Sequence, residues 1–316
     1  MIMQVTMLGK TGIKVSKLSF GSVTVSPLLA NLEVSLAADV IEEAFSLGVN
    51  FIDTAQLYKN YPHIRKMLDR LPDREKLIIA TKAFPKEGVD FSEPIEEARR
   101  ALNRDVIDIF LLHGEKDKNS LKEHQKALET LFTYKSKGLI KAVGISTHYV
   151  AGVYAAIEAD LDVVHPIFNI DGLGIVDGSI KQMEEAIKAA KEKGLGIYAM
   201  KALGGGNLIN KANESMSYAI NHPYCDSVAV GMKTKEEVRA NVSFFEKGKF
   251  SEEEMKNFKQ KKLFIEDYCI GCGKCVNFCH QNALSLQNKK AACDSSKCLL
   301  CGYCSTVCPE FCIRIF

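Results

Sequence analysis

The 316-residue chain carries almost no net charge: 41 Lys+Arg stand against 39 Asp+Glu, or +2 with histidine neutral. It therefore lacks the broad positive field that draws in nucleic acid or an anionic membrane, and neither is expected as a partner. No apolar run approaches the roughly 20 residues of a spanning helix. The opening MIMQVTMLGKTG lacks the basic segment, apolar stretch and small-residue site of a secretory leader, so a cytoplasmic setting is expected. Low-complexity sequence is missing too. With 47% hydrophobic and 25% charged residues, the composition excludes a disordered chain, a collagen-like fibre and a coiled-coil rod. The length suits about two domains.

Cysteine is nearly absent from the first 268 residues, where Cys225 stands alone; the other ten of 11 lie between Cys269 and Cys312. A disulfide framework would suit a secreted chain, and nothing here is secretory. In a reducing compartment such a tail reads instead as a metal or cluster binder. The shift in composition predicts a first domain over residues 1–250, a charged helical linker over 251–263 and a small domain over 264–316.

The first region alternates short apolar runs with amphipathic segments. Strands are expected at 18–22, 49–53, 77–82, 106–113, 140–146, 161–168, 195–201 and 227–232. Runs such as LIIAT and IDIFLL are continuously apolar, as strands buried on both faces should be. Between them, VSLAADVIEEAFSLG, LKEHQKALETLFTYKSKG and IKQMEEAIKAAKEKG read as helices closing at Gly48, Gly138 and Gly194. Eight strand–helix repeats in about 250 residues predict an α/β fold, a (β/α)8 TIM barrel. An open doubly wound sheet would normally bring a glycine-rich turn after its first strand; LSFGSVTVS has no G-x-G-x-x-G. Residues 5–15 read as a hairpin around Gly9 and Gly12 that closes the barrel's bottom.

A barrel's chemistry forms where strands end. Asp53 closes VNFID, Lys82 closes LIIATK, His113 closes IDIFLLH, and Tyr58 follows Asp53 on the same loop. A tyrosine hydroxyl has an ordinary pKa of about 10, which a nearby ammonium lowers. Asp53 would hold Lys82 in place, and a neutral His113 would polarise a carbonyl oxygen. Singly, each has an ordinary structural role open to it: a rim ion pair, a structural histidine, a loop aromatic. Together on three successive strands they form a candidate active site, provided that they meet at one open mouth.

GVNFIDTAQLY, LIIATKAF, IFLLHG and the opening LGKTGIKVSKLSFG resemble the aldo-keto reductase family over roughly residues 5–245. The resemblance implies a catalytic tetrad of Asp53, Tyr58, Lys82 and His113, with Tyr58 as general acid. It also implies NADP(H) as hydride carrier. VAVGMKTKEEVRAN is similar to the family's eighth-strand segment, placing Gly231, Lys233 and Thr234 at the 2′-phosphate and Glu237 and Asn241 near the adenine. AMKALGGG is similar to the loop at the pyrophosphate, placing Leu203, Gly204, Gly205 and Gly206 there. Ser146 and His165 would reach the nicotinamide carboxamide. Met200 stands where many members stack a tyrosine on the ring, Ser146-Thr147 where Ser-Asn is usual, and His165 where glutamine is usual. The chain has no tryptophan, so the indole-lined substrate pocket of many members is missing.

The tail carries two C-x2-C-x2-C-x3-C runs, Cys269-Cys272-Cys275-Cys279 and Cys298-Cys301-Cys304-Cys308. This spacing wraps three cysteines round one [4Fe–4S] cube and sends the fourth to the other. One cube then takes Cys269, Cys272, Cys275 and Cys308; its partner takes Cys298, Cys301, Cys304 and Cys279. Zinc usually needs only four ligands, as two separated C-x2-C pairs. From Tyr268 onward the tail resembles a bacterial dicluster ferredoxin, which implies a small α+β domain. His280 replaces the proline that commonly follows the fourth cysteine. Cys225, Cys293 and Cys312 fall outside the ligand spacing and read as small buried hydrophobes.

Two functions compete. One is an NADPH-dependent reductase of an aldehyde or ketone (or the reverse alcohol dehydrogenase) carrying two [4Fe–4S] clusters, with a redox partner protein docking at the ferredoxin-like domain. The other is an iron–sulfur electron-transfer protein whose barrel reaction is fed by ferredoxin-type one-electron donors instead of NADPH. Nicotinamide does not readily split its electron pair, and no flavin motif is present to mediate. A non-catalytic scaffold would not need all four tetrad residues.

Overall fold

A computed structural model describes residues 3–258 and 261–315; positions 259 and 260 of the expected linker lie outside the described residues. The chain starts with an antiparallel hairpin, β1 (Val5–Met7) and β2 (Lys14–Ser16). Eight parallel strands then close into a barrel: β3 (Leu18–Gly21), β4 (Phe51–Asp53), β5 (Ile78–Ala83), β6 (Ile107–His113), β7 (Ile140–Thr147), β8 (Val163–Pro166), β9 (Gly196–Met200) and β10 (Ser227–Gly231). Each strand pairs with the next in sequence, and β10 returns to β3, so no edge is left open. All eight expected runs are barrel strands.

Two apolar layers hold this shape. Inside the barrel, Phe51, Ala80, Ile109, Leu111, Ala142, Val163 and Tyr198 pack with Leu8, Ile13 and Val15 from the hairpin side, which closes the lower end as expected. The larger layer lies between strands and helices. Helices Val34–Ser46 and Ile180–Glu192 end two residues before Gly48 and Gly194, whose φ values of +92° and +91° an L side chain rarely adopts. The segment expected as one helix up to Gly138 is two, Lys118–Glu123 and Gln125–Ser136, with the break at His124. There the His124 ring pairs at 2.9 Å with buried Glu115, and the chain bends to make that contact.

After a short helix, Glu252–Asn257, the tail builds two antiparallel pairs: β11 (Leu263–Ile265) with β14 (Ile313–Ile315), and β12 (Leu284–Gln287) with β13 (Lys290–Cys293). Short helices Lys274–Phe278 and Tyr303–Thr306 each follow a left-handed glycine, Gly273 (φ +75°) and Gly302 (φ +80°). That correspondence is the structural form of the duplicated cysteine run. No helix among the described residues is long and apolar enough to cross a membrane.

Candidate active site and cluster cradle

Strand periodicity builds the site. Inward positions read Phe51–Asp53, Ala80–Lys82 and Leu111–His113, so each strand packs an apolar residue in the core and ends on a polar one at the mouth. The Lys82 ammonium reaches both Asp53 oxygens at 2.7 and 2.8 Å and donates to the Thr54 carbonyl at 3.0 Å. Asp53 also accepts from the Tyr198 hydroxyl at 3.1 Å. Lysine and aspartate are 1% and 4% exposed, so the pair survives burial because both ends are saturated with hydrogen bonds. Burial pulls the lysine's pKa down while the carboxylate opposes it.

Tyr58 ends a tight turn, Gln56–Tyr58, pinned by Asn60, which accepts from Thr54 Oγ1 at 2.8 Å and donates to the Ser22 carbonyl at 2.9 Å. Its ring lies 5.1 Å from the Lys82 nitrogen. His113 is stacked on Phe84 (4.2 Å, 11°), and Gly114 (φ +81°) turns the chain away; a Cβ there would lie 3.1 Å from the Phe84 ring. Burial, then the Lys82 charge, drives the imidazole well below its ordinary pKa, so it is neutral. Its Nδ1 has no partner, whereas Nε2 has one. We assign the proton to Nε2, since an orphaned N–H costs more than an orphaned lone pair.

The ammonium does not lower the Tyr58 hydroxyl, contrary to the sequence-based expectation. Burial raises it well above 10, and Tyr303 and Asp53 push the same way. The lysine's charge is already committed to both Asp53 oxygens. A second departure concerns room. The four residues do meet, but the point between Tyr58 and His113 is held by the Tyr303 hydroxyl, 3.4 Å from the Tyr58 oxygen and 3.1 Å from His113 Nε2. Tyr303 sits between Cys301 and Cys304, so the cysteine-rich tail lies across the mouth.

The nucleotide candidates divide into two groups. Thr234 caps the helix Lys235–Lys247 by accepting from Glu237 N–H at 3.2 Å. The Lys233 N–H donates to the Glu237 carboxylate, and Asn241 donates to the Glu237 carbonyl while its own Oδ1 is buried without a partner. Gly231, Lys233, Thr234 and Glu237 thus lie at the start of one helix, with Asn241 in its second turn, and the Lys233 and Glu237 N–H groups are already taken by the Glu237 carboxylate and Thr234. The second group is enclosed. Gly204, Gly205 and Gly206 form a tight turn after Leu203, and a Cβ on Gly205 would lie 2.0 Å from the Leu299 carbonyl oxygen. Met200 is half-buried at the end of β9. Ser146 accepts the Gly114 N–H at 3.1 Å, and His165, 2% exposed, is stacked on Tyr198 and bonded to its carbonyl at 2.5 Å. Both are engaged in holding the rim.

In the tail, Cys269, Cys272, Cys275 and Cys308 line one cavity, together with Cys312. Burial first, then Cys301, Cys298, Cys279 and Cys275, raises the Cys304 thiol; burial first, then Cys298 and Cys279, raises Cys301. Among the described residues no three His, Cys, Asp or Glu side chains converge on a single ion position. All eleven cysteines are free, with Cys225 and Cys312 buried and Cys293 half-buried.

Three residues of this site carry no signal in a linear reading. Tyr198 is detectable only as an inward position two before Met200 on β9. Phe84 follows Lys82 by the same interval, just past the end of β5. Tyr303 belongs to a cluster motif, and nothing local indicates that it reaches the barrel.

Residues 17–217 match the aldo/keto reductase family and residues 268–312 the 4Fe-4S dicluster domain. The first match spans more than half of the chain, which thus belongs to the aldo/keto reductase family and carries a dicluster domain at its C-terminal end. Among individual relatives, it is 22% identical to an uncharacterized Bacillus subtilis oxidoreductase, YqkF, over 79% of this chain and 93% of that protein. It is 31% identical to L-galactose dehydrogenase of Arabidopsis thaliana, over 44% of this chain and 47% of the relative. In structure it resembles a putative aldo-keto reductase from Pseudomonas aeruginosa, with TM-score 0.65 and 26% identity over 77% of this chain and 94% of that one.

Proposed function

We propose that the protein is an NADPH-dependent carbonyl reductase whose tail holds two [4Fe–4S] clusters. One observation carries the reading: the Tyr58 hydroxyl and His113 Nε2 both reach one oxygen, here the Tyr303 hydroxyl, at 3.4 and 3.1 Å. A carbonyl oxygen at that point would accept from both. Bound NADPH supplies the hydride; Lys233 and Thr234 would hold its 2′-phosphate, Glu237 and Asn241 its adenine, and the turn after Leu203 its pyrophosphate. Ser146, His165 and Met200 are the side chains nearest the expected nicotinamide end. The chain's own part is then proton and charge management. His113 donates Nε2–H to the oxygen as negative charge grows on it. Tyr58 delivers the proton to that oxygen as the hydride arrives, and the raised pKa keeps its hydroxyl protonated until then. Lys82, locked by Asp53, lies 5.1 Å from the centre of the Tyr58 ring and holds the carboxylate's charge in place beside it. Cys269, Cys272, Cys275 and Cys308 would ligate one cube, and Cys279, Cys298, Cys301 and Cys304 the other. Eleven free thiols suit a reducing cytoplasm.

Tyr58→Phe keeps the ring and removes the acid. NADPH-dependent turnover of an aldehyde should fall by about 10²–10⁴ with clusters and fold intact; full turnover in that variant would end the acid assignment.

A second reading, electrons fed from the clusters, gains support from Tyr303, which joins the Cys301–Cys304 ligand pair to the tetrad. Anaerobic titration of the cluster-loaded protein separates the two. Bleaching of cluster absorbance by NADPH, or turnover sustained by reduced ferredoxin alone, favours the second reading; turnover with NADPH and unchanged clusters favours the first.

A further inference from the structure

We propose that Tyr303 is the resident occupant of the reacting-oxygen site, so that a substrate enters only by displacing it, and that the vacated slot takes a flat, ring-sized molecule bearing an oxygen. The inference deepens the reductase reading in calling that oxygen a substrate's; the occupancy itself rests on geometry alone.

The hydroxyl sits where a carbonyl oxygen would, within reach of both His113 Nε2 and the Tyr58 oxygen. Its ring meets His113 edge-on (5.9 Å, 89°) and His280 edge-on (6.5 Å, 87°), with Tyr58 tilted at 46°. These contacts surround a phenol, and Tyr58 and His113 are left only 5% and 7% exposed. With the mouth closed this way, Tyr303 also gives His113 Nε2–H a partner that it would otherwise lack, which lowers the cost of burying it.

The seat is built on both sides of the ring. Leu299, 1% exposed, belongs to the barrel's main core, and Asn207 donates to the Cys298 carbonyl at 2.9 Å. Gly205 and Gly302 allow backbone to approach backbone: a Cβ on the first would lie 2.0 Å from the Leu299 oxygen, and on the second 2.6 Å from the Leu28 oxygen. The segment 298–304 is therefore wedged between the loops after β3 and β9, and it carries Tyr303 to the mouth. Because Cys301 and Cys304 flank the tyrosine, one cluster's ligand loop is also the stopper of the active site.

The test uses cluster-loaded protein under anaerobic conditions and p-cresol, the tyrosine side chain as a free molecule, as probe. Truncating a buried ring leaves a cavity that a small aromatic of the same shape can fill. Tyr303→Ala should bind p-cresol at least about tenfold more tightly than the unaltered protein by calorimetry. Adding His113→Ala should remove that gain. If Tyr303→Ala loses the cluster absorbance, Tyr303→Val carries the same expectation. Equal, His113-dependent binding of p-cresol by the unaltered protein would overturn the proposal, as would no gain in a variant with intact clusters. Neither arm requires turnover. A gain in binding from a protein that reduces nothing would keep the occupant and discard the reductase; the opposite pair of results would do the reverse.

Discussion

The barrel and the tail bury their functional groups by opposite means. In the barrel, Asp53 and Lys82 rest on two layers of apolar side chains and are saturated by Thr54 and Tyr198. In the tail, the core is seven buried residues, four of them cysteine: Cys275, Cys304, Cys308 and Cys312. One site is held by the fold; the other has to hold the fold. At about 50 residues an apolar core alone is marginal, and metal binding then becomes folding energy. The largest expected effect follows. Removing iron with a chelator should abolish hydrogen-exchange protection across β11–β14 while β3–β10 keep theirs. Equal loss in both regions would erase the distinction, and so would full protection in both.

The barrel half can be broken from within. Asp53→Asn keeps the shape of the side chain but leaves the Lys82 ammonium buried without its counter-charge. Such a change costs about 3–5 kcal/mol. In a domain of this size that is a drop of roughly 10 °C in melting temperature. Asp53→Asn combined with Lys82→Met removes both charges and should recover at least about half of the loss. A single variant melting like the unaltered protein would show that the Thr54 carbonyl holds the lysine without the carboxylate.

How much of this was readable in the residues depends on distance along the chain. Eight strands, the closing hairpin and the three strand-end residues Asp53, Lys82 and His113 follow from local patterning, because runs as continuously apolar as LIIAT and IDIFLL suit a strand buried on both faces. The two cysteine runs are legible because spacing is a local property. The broken helix at His124 was missed because nothing in the helical pattern registers Glu115 pulling the ring inward. The raised Tyr58 pKa is not legible in the residues because its largest cause, burial of the hydroxyl, comes from packing that includes Tyr303 of the tail. Tyr303 was out of reach altogether: its role exists only through packing of segment 298–304 against Gly205 and Leu28, more than ninety positions away in sequence.

The smallest effect probes how the barrel pays for its polar centre as acid is added. His165 is buried against Tyr198, and burial lowers its pKa to about 4, against 6.5 ordinarily. Below pH 6.5 the unfolded chain takes up a proton that the folded barrel refuses. Stability therefore falls with pH by up to about 1.4 kcal/mol per unit for this residue, until the folded form also protonates near pH 4. His113 adds to the same trend. Glu115 opposes it, since burial raises its carboxyl and the folded state gains that proton first. His165→Gln removes one titrating group, and acid lability of the clusters is common to both proteins and cancels in the comparison. Denaturant melts from pH 7 to pH 4, followed by the barrel's far-ultraviolet signal, should therefore show the shallower slope in the variant. Parallel slopes would mean that His165 is protonated inside the barrel, paired with the Asp53 oxygen that lies 3.6 Å from its Nε2.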